Sequence, residues 1–159
     1  MSQLKAGDKA PEFTANDQNG TPVSLSDFKG RTVILYFYPK DDTPTCTVES
    51  CNFRDNYQSL LAQGLQVIGV SADDEKSHKK FIKKYSLPFP LIADTDMKIV
   101  NAYGVWGEKV LFGREYMGII RKTFIIDADG VIAHVIDKVD SQAASQQVLD
   151  LLAPPNPPR

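Results

Sequence analysis

The chain has 159 residues, 18 Lys plus Arg against 20 Asp plus Glu, and a formal net charge of −2. That is the length of one ordinary domain, enough to bury a core without disulfide staples, and the near-neutral balance leaves no electrostatic footprint for nucleic acid or an anionic membrane. Its two cysteines, Cys46 and Cys51, are too few for a scaffold; a close pair in a reducing cytosol points to catalysis or metal binding.

Met1 to Asp8 lacks the apolar core of a signal peptide, and the apolar run Val33 to Tyr38 is far too short to span a bilayer, so a cytoplasmic protein is expected. Segments 12–15 and 22–24 flank the turn-rich Asn16 to Gly20 and predict an N-terminal hairpin. Ser26 to Gly30 reads as a short helical turn. Thr32 to Tyr38 is nearly all β-branched, leucine or aromatic, which predicts a central strand buried on both faces. From Thr45 to Gln63, Val48, Phe53, Tyr57, Leu60 and Leu61 recur at helical spacing, with Gly64 as the stop. Leu65 to Ser71 reads as the next buried strand. Asp74 to Tyr85 reads as a charged helix with Phe81 and Tyr85 inward and His78 solvated among lysines. This β-α-β-α order implies a parallel sheet core.

After the break at Leu87 to Pro90, a short strand (91–93) and a helix (96–103) ending at Gly104 are expected. Segments 121–127 and 131–136 form a hairpin across Ala128-Asp-Gly130, with His134 structural. A last helix covers 141–152. The proline-rich 153–159 reads as a loose tail.

Chemistry concentrates where the strand ending at Tyr38 empties through Pro39 into the helix start at Cys46. A helix N-terminus presents unpaired N–H groups and partial positive charge, which favour thiolate, the reactive form of cysteine. A metal centre is the weaker reading, because His78 and His134 are the only histidines and neither is near Cys46 in sequence.

The spacing Pro39-x-x-x-Thr43-x-x-Cys46 resembles the active-site signature of the peroxiredoxins. Cys51-Asn-Phe-Arg-Asp55 and Gly118-Ile-Ile-Arg121-Lys-Thr-Phe-Ile-Ile-Asp127 extend the likeness to the bacterioferritin-comigratory, or PrxQ, subfamily over roughly residues 3–152. One departure is Thr45, where that pattern has Gly; a β-branched residue there excludes a freely positive φ.

The resemblance implies an α/β, thioredoxin-like fold with an N-terminal hairpin extension and an inserted helix, its mixed central sheet flanked by helices, as one domain over 1–152. It also implies a thiol peroxidase acting on hydrogen peroxide and organic hydroperoxides. Cys46 would be the nucleophile and Cys51 the resolving thiol. Thr43 would orient thiolate or peroxide, Pro39 would shield the site, and Arg121 would reach across from its strand. No metal, haem or flavin is implied, and thioredoxin or a glutaredoxin-like dithiol protein would restore the thiols. With the resolving cysteine in the same chain, a monomer suffices.

Spacing adds a mechanical expectation. In one regular helix, residues five apart have Cα atoms about 8.6 Å apart, beyond the roughly 7 Å a disulfide tolerates, so bridging Cys46 to Cys51 requires the first turn or more to unwind. Other assignments stay open. Cys51 could be inert, Thr43 a turn or capping residue, and Arg121 a surface charge. Glu49 could bond within the site or cap the helix start, and Arg54 could hold the thiolate or pair with Asp55 or Glu49. Trp106, Phe112 and Tyr116 could wall the pocket or simply pack. The rival functions are a general thiol-disulfide oxidoreductase, which favours Cys-x-x-Cys over the four intervening residues here, and a binding module with an apolar patch.

Overall fold

The computed structural model describes residues 4–152, apart from the side chain of Leu111; the expected tail, 153–159, lies outside the described residues. A short hairpin, β1 (Thr14–Asn16) and β2 (Pro22–Ser24), leads through a 3₁₀ turn (Leu25–Phe28) to β3 (Thr32–Phe37) and the long helix α1 (Pro44–Ala62). Then come β4 (Leu65–Ser71), α2 (Glu75–Tyr85), β5 (Leu91–Ala93) and the short α3 (Lys98–Ala102). The rest is β6 (Trp106–Leu111), β7 (Arg114–Ile119), β8 (Lys122–Ile126), β9 (Ile132–Ile136), a 3₁₀ turn (Ser141–Ala143) and α4 (Ala144–Leu152).

The central sheet has the order β5-β4-β3-β8-β9. Strands β3, β4 and β5 run parallel, and β8 and β9 join antiparallel, so the sheet is mixed. As the run of apolar residues predicts, β3 is central and buried on both faces, and its alternation divides the core in two. Val33, Leu35 and Phe37 pack on one face with Tyr103 and Phe124. Ile34, Tyr36 and Tyr38 pack on the other with Phe53 and Tyr57 of α1, Phe81 of α2 and Val148 of α4.

Tyr36 seats the helix that carries both cysteines. Its ring centroid lies 5.0 Å from that of Phe53, and its hydroxyl is hydrogen-bonded to Ser50 Oγ at 2.8 Å. Its register partner is Gly69, where a Cβ would stand 2.8 Å from the tyrosine ring. The glycine therefore makes room for the tyrosine, and the tyrosine supports α1. Burying the Phe53 ring alone contributes on the order of 2 kcal/mol.

Three sequence expectations change. Val48 is 42% exposed rather than inward, because the five helical steps that separate it from Phe53 rotate it about 140° round the helix. His78 has no exposed surface, although lysines flank it. It lies three residues before Phe81 and so shares that residue's inward face. Between Gly104 and Arg121 the chain forms a separate two-stranded sheet, β6 against β7, which the sequence reading left unassigned. Trp106, Phe112 and Tyr116 stand on that arm at 41%, 95% and 44% exposure, so the reading that they simply pack is corrected.

Candidate active site

Helix α1 begins two residues before the nucleophile candidate. Thr43 is the N-cap, with extended backbone, and Pro44 occupies the first turn, where its missing N–H costs no hydrogen bond. The Thr47 N–H makes a bond to the Thr43 carbonyl at 2.9 Å, which leaves Cys46 N–H among the orphan donors of the helix start. The Thr43 hydroxyl makes no capping bond; it donates instead to the Lys40 carbonyl at 2.8 Å. That leaves its oxygen lone pairs free to accept a further hydrogen bond. Thr45 is inside the helix, and the left-handed residue of the loop is Asp42, with φ +57°. Pro39 is half-buried at the end of β3.

Cys46 is 1% exposed, and Cys51, one and a half turns further on, is half-buried; both are free thiols. Arg121 joins β7 to β8 and meets Cys46 across 75 residues of chain, its Nη2 donating to Sγ at 3.1 Å. Its Nη1 donates to Glu49 Oε1 at 2.7 Å. One planar guanidinium thus bridges the sulfur and a carboxylate one helical turn below it, which a single-point lysine charge would not do. Burial opposes the charge on Arg121, but the adjacent sulfur and Glu49 more than offset it, so its pKa is raised.

Glu49 is fully buried, and its Oε2 has no hydrogen-bond partner among the described residues. Burial pushes its carboxyl up to about 7, against the pull of Arg121. Of the two readings open for Glu49, the structure shows the bond within the site. Arg54 is committed elsewhere: Nε donates to Asp55 at 2.9 Å and Nη1 to the Tyr85 carbonyl at 2.8 Å. The thiol of Cys51 is pushed up by partial burial, with Asp55 adding to the rise and Arg54 opposing it.

Sequence reasoning missed Lys109. From β6 it donates to the Ile119 carbonyl at 2.9 Å, and its pKa is lowered, first by burial and then by Arg121, with Cys46 pulling it back. The arm therefore brings a second cation toward the thiol. No sequence signal indicated this, because the strand pairing that places Lys109 was itself unseen. Among the described residues, no helix is long and apolar enough to cross a membrane.

Similarity to known proteins gives the family. The AhpC/TSA family model matches residues 6–135. The chain belongs to this family. It is 45% identical over 152 residues to the Peroxiredoxin Bcp of Escherichia coli (strain K12), covering 96% of this chain and 97% of that protein. The Peroxiredoxin Bcp of Bacillus subtilis (strain 168) is 47% identical over 127 residues, covering 80% and 81%. Among solved structures, a mutant of Xylella fastidiosa PrxQ superposes with a TM-score of 0.89 at 31% identity, covering 96% of this chain and 97% of that one. Peroxidoxin BcpB from Mycobacterium tuberculosis gives 0.83 at 32% identity, covering 94% and 97%. The chain is therefore a peroxiredoxin of the Bcp/PrxQ kind with a thioredoxin-like fold, a thiol peroxidase.

Proposed function

We propose that the chain reduces hydrogen peroxide and organic hydroperoxides through Cys46, resolved by Cys51. The Cys46 thiolate attacks the terminal peroxide oxygen, the O–O bond breaks, and the other oxygen leaves, after protonation, as water or alcohol. Cys46 is left as a sulfenic acid. The observation that carries this reading is the 3.1 Å bond from Arg121 Nη2 to Cys46 Sγ, with Nη1 anchored on Glu49. That cation would stabilise the thiolate before attack and the negative charge that develops on the departing oxygen. The Thr43 oxygen and the Cys46 N–H would orient the peroxide, and Pro39 would cover it.

Cys51 then attacks the sulfenic sulfur, a disulfide forms, and water leaves. Both cysteines lie within the unbroken helix α1, so the first turns must unwind. Unwinding gives up the Arg121–Glu49 pair and the Tyr36–Ser50 bond. Asn52, just beyond, is tied down: its Nδ2 donates to the Gln142 carbonyl at 2.8 Å, and its Oδ1 accepts from Ser145 N–H at 2.8 Å. The melted stretch would therefore end at Cys51. Thioredoxin or a glutaredoxin-like dithiol protein would reduce the disulfide in a reducing cytosol, and a monomer would complete the cycle.

The test is steady-state peroxide consumption with a thioredoxin system. Native protein should turn over; C46S should not, and C51S should react once and stall. Full turnover by C46S would overturn the assignment.

A further inference from the structure

The loop that delivers Thr43 and the start of α1 is held from the side by α2, through two consecutive carboxylates. Asp41 is buried, accepting from the Tyr38 hydroxyl at 2.6 Å and the Ser77 hydroxyl at 2.8 Å, with His78 Nδ1 at 2.7 Å. Its own N–H donates to Asp73 Oδ2 at 2.8 Å, an oxygen that also accepts from Ser71 Oγ at 2.6 Å. Asp42 next to it, in its left-handed conformation, accepts from Lys84 Nζ at 2.8 Å and the Tyr85 hydroxyl at 2.7 Å.

His78 is the buried centre of this arrangement. Its Nε2 lies 2.9 Å from the Ile92 carbonyl, which only accepts, so Nε2 carries a hydrogen. With Nδ1 also bonded to a carboxylate, the ring is best satisfied as an imidazolium. Burial disfavours that charge, but the bond and charge of Asp41 outweigh it, and the His78 pKa is raised. A buried ion pair is poor value as a source of stability, since well-packed apolar residues often do as well. What it supplies is a fixed direction.

The site needs that direction. Cys46 and Arg121 come from different elements, and their 3.1 Å contact depends on where the loop sets the first turn of α1. We infer that Asp41 and His78 are positioning residues for the peroxide-reducing step, tying the backbone of residues 39–43 to α2 so that Thr43 and Cys46 stand in register with Arg121. The inference rests on the peroxidase reading above. The loop is then also the fixed post from which α1 unwinds, opposite the Asn52 anchor.

Three substitutions separate positioning from bulk packing. His78→Asn sets an amide N–H near the place of Nδ1–H, toward Asp41; His78→Gln reaches instead toward the Ile92 carbonyl; His78→Leu supplies neither. The readouts are the stopped-flow rate of oxidation of reduced protein by hydrogen peroxide, the thermal midpoint, and hydrogen exchange over residues 39–47. H78L is expected to oxidise about 10-fold more slowly or worse, with faster exchange in that segment. H78N should recover most of the rate and H78Q should not. Equal rates for H78N and H78Q, or a lowered midpoint with an unchanged oxidation rate, would overturn the inference. If H78L does not fold, the asparagine–glutamine pair carries the same comparison. Failure of the native protein to react would remove the peroxidase reading instead, and the exchange comparison would still test whether His78 holds the loop.

Discussion

Cys46 and Cys51 share one helix and differ in almost everything else. Cys46 is buried under a guanidinium that arrives from the β7–β8 joint, and its N–H is an orphan donor of the helix start. Cys51 is half-buried beside the local charges of Arg54 and Asp55, and burial raises its pKa. Helix position alone does not set a cysteine's surroundings; the partner brought by the sheet does. The five helical steps from one to the other also turn the second thiol about 140° away, so the pair cannot meet while the helix persists.

The largest expected effect breaks the comparison outright. C46S should abolish fast oxidation by peroxide, whereas C51S should keep the first oxidation and lose disulfide formation; stopped-flow fluorescence followed by mass analysis distinguishes them. Removing the cation comes next. R121Q should slow Cys46 oxidation by about 10²–10³, the usual cost of losing a donor aimed at developing charge, and R121K should recover only part because it cannot bridge sulfur and carboxylate. A single-turnover rate close to native in R121Q would contradict the role given to the guanidinium.

Glu49 sharpens the contrast through pH. Its folded pKa, about 7, lies above its ordinary 4.5. The folded state therefore holds a proton that the unfolded state releases, and that contribution, complete below about 4.5, is lost as pH rises to about 7. Urea melts should show native stability falling across this window relative to E49Q, by at most about 3 kcal/mol. A parallel pH dependence in the two proteins would mean that Glu49 titrates normally. The smallest effect concerns the seat of α1: Y36F should cost about 1 kcal/mol by losing the Ser50 bond, read as a shift in the urea midpoint.

Much of this was legible in the residues. The β3 run, the α1 periodicity ending at Gly64, the N-terminal hairpin and the β8–β9 hairpin follow from patterns of two and of three to four, with their turn residues. The β6–β7 arm did not, because among the described residues of its two strands Ile119 alone is buried, too little to impose alternation. Its turn also carries Phe112 at φ +53° before Gly113, in place of the Asn or Asp that usually marks a two-residue hairpin. The lysines around His78 suggest a solvated face, whereas its spacing from Phe81 sets it inward. At the site, motif spacing brought forward Cys46, Thr43, Pro39 and Arg121. The partner of Glu49 could not be read from sequence, because it depends on where Arg121 lands.

The most direct measurement is peptide mapping of the reduced protein quenched after one equivalent of hydrogen peroxide, with hydrogen exchange on the same sample. The account predicts loss of two hydrogen atoms in a Cys46–Cys51 link, with protection falling over 44–51 and persisting beyond Asn52. An added oxygen lasting on Cys46, or a linked protein with α1 protected throughout, would contradict it.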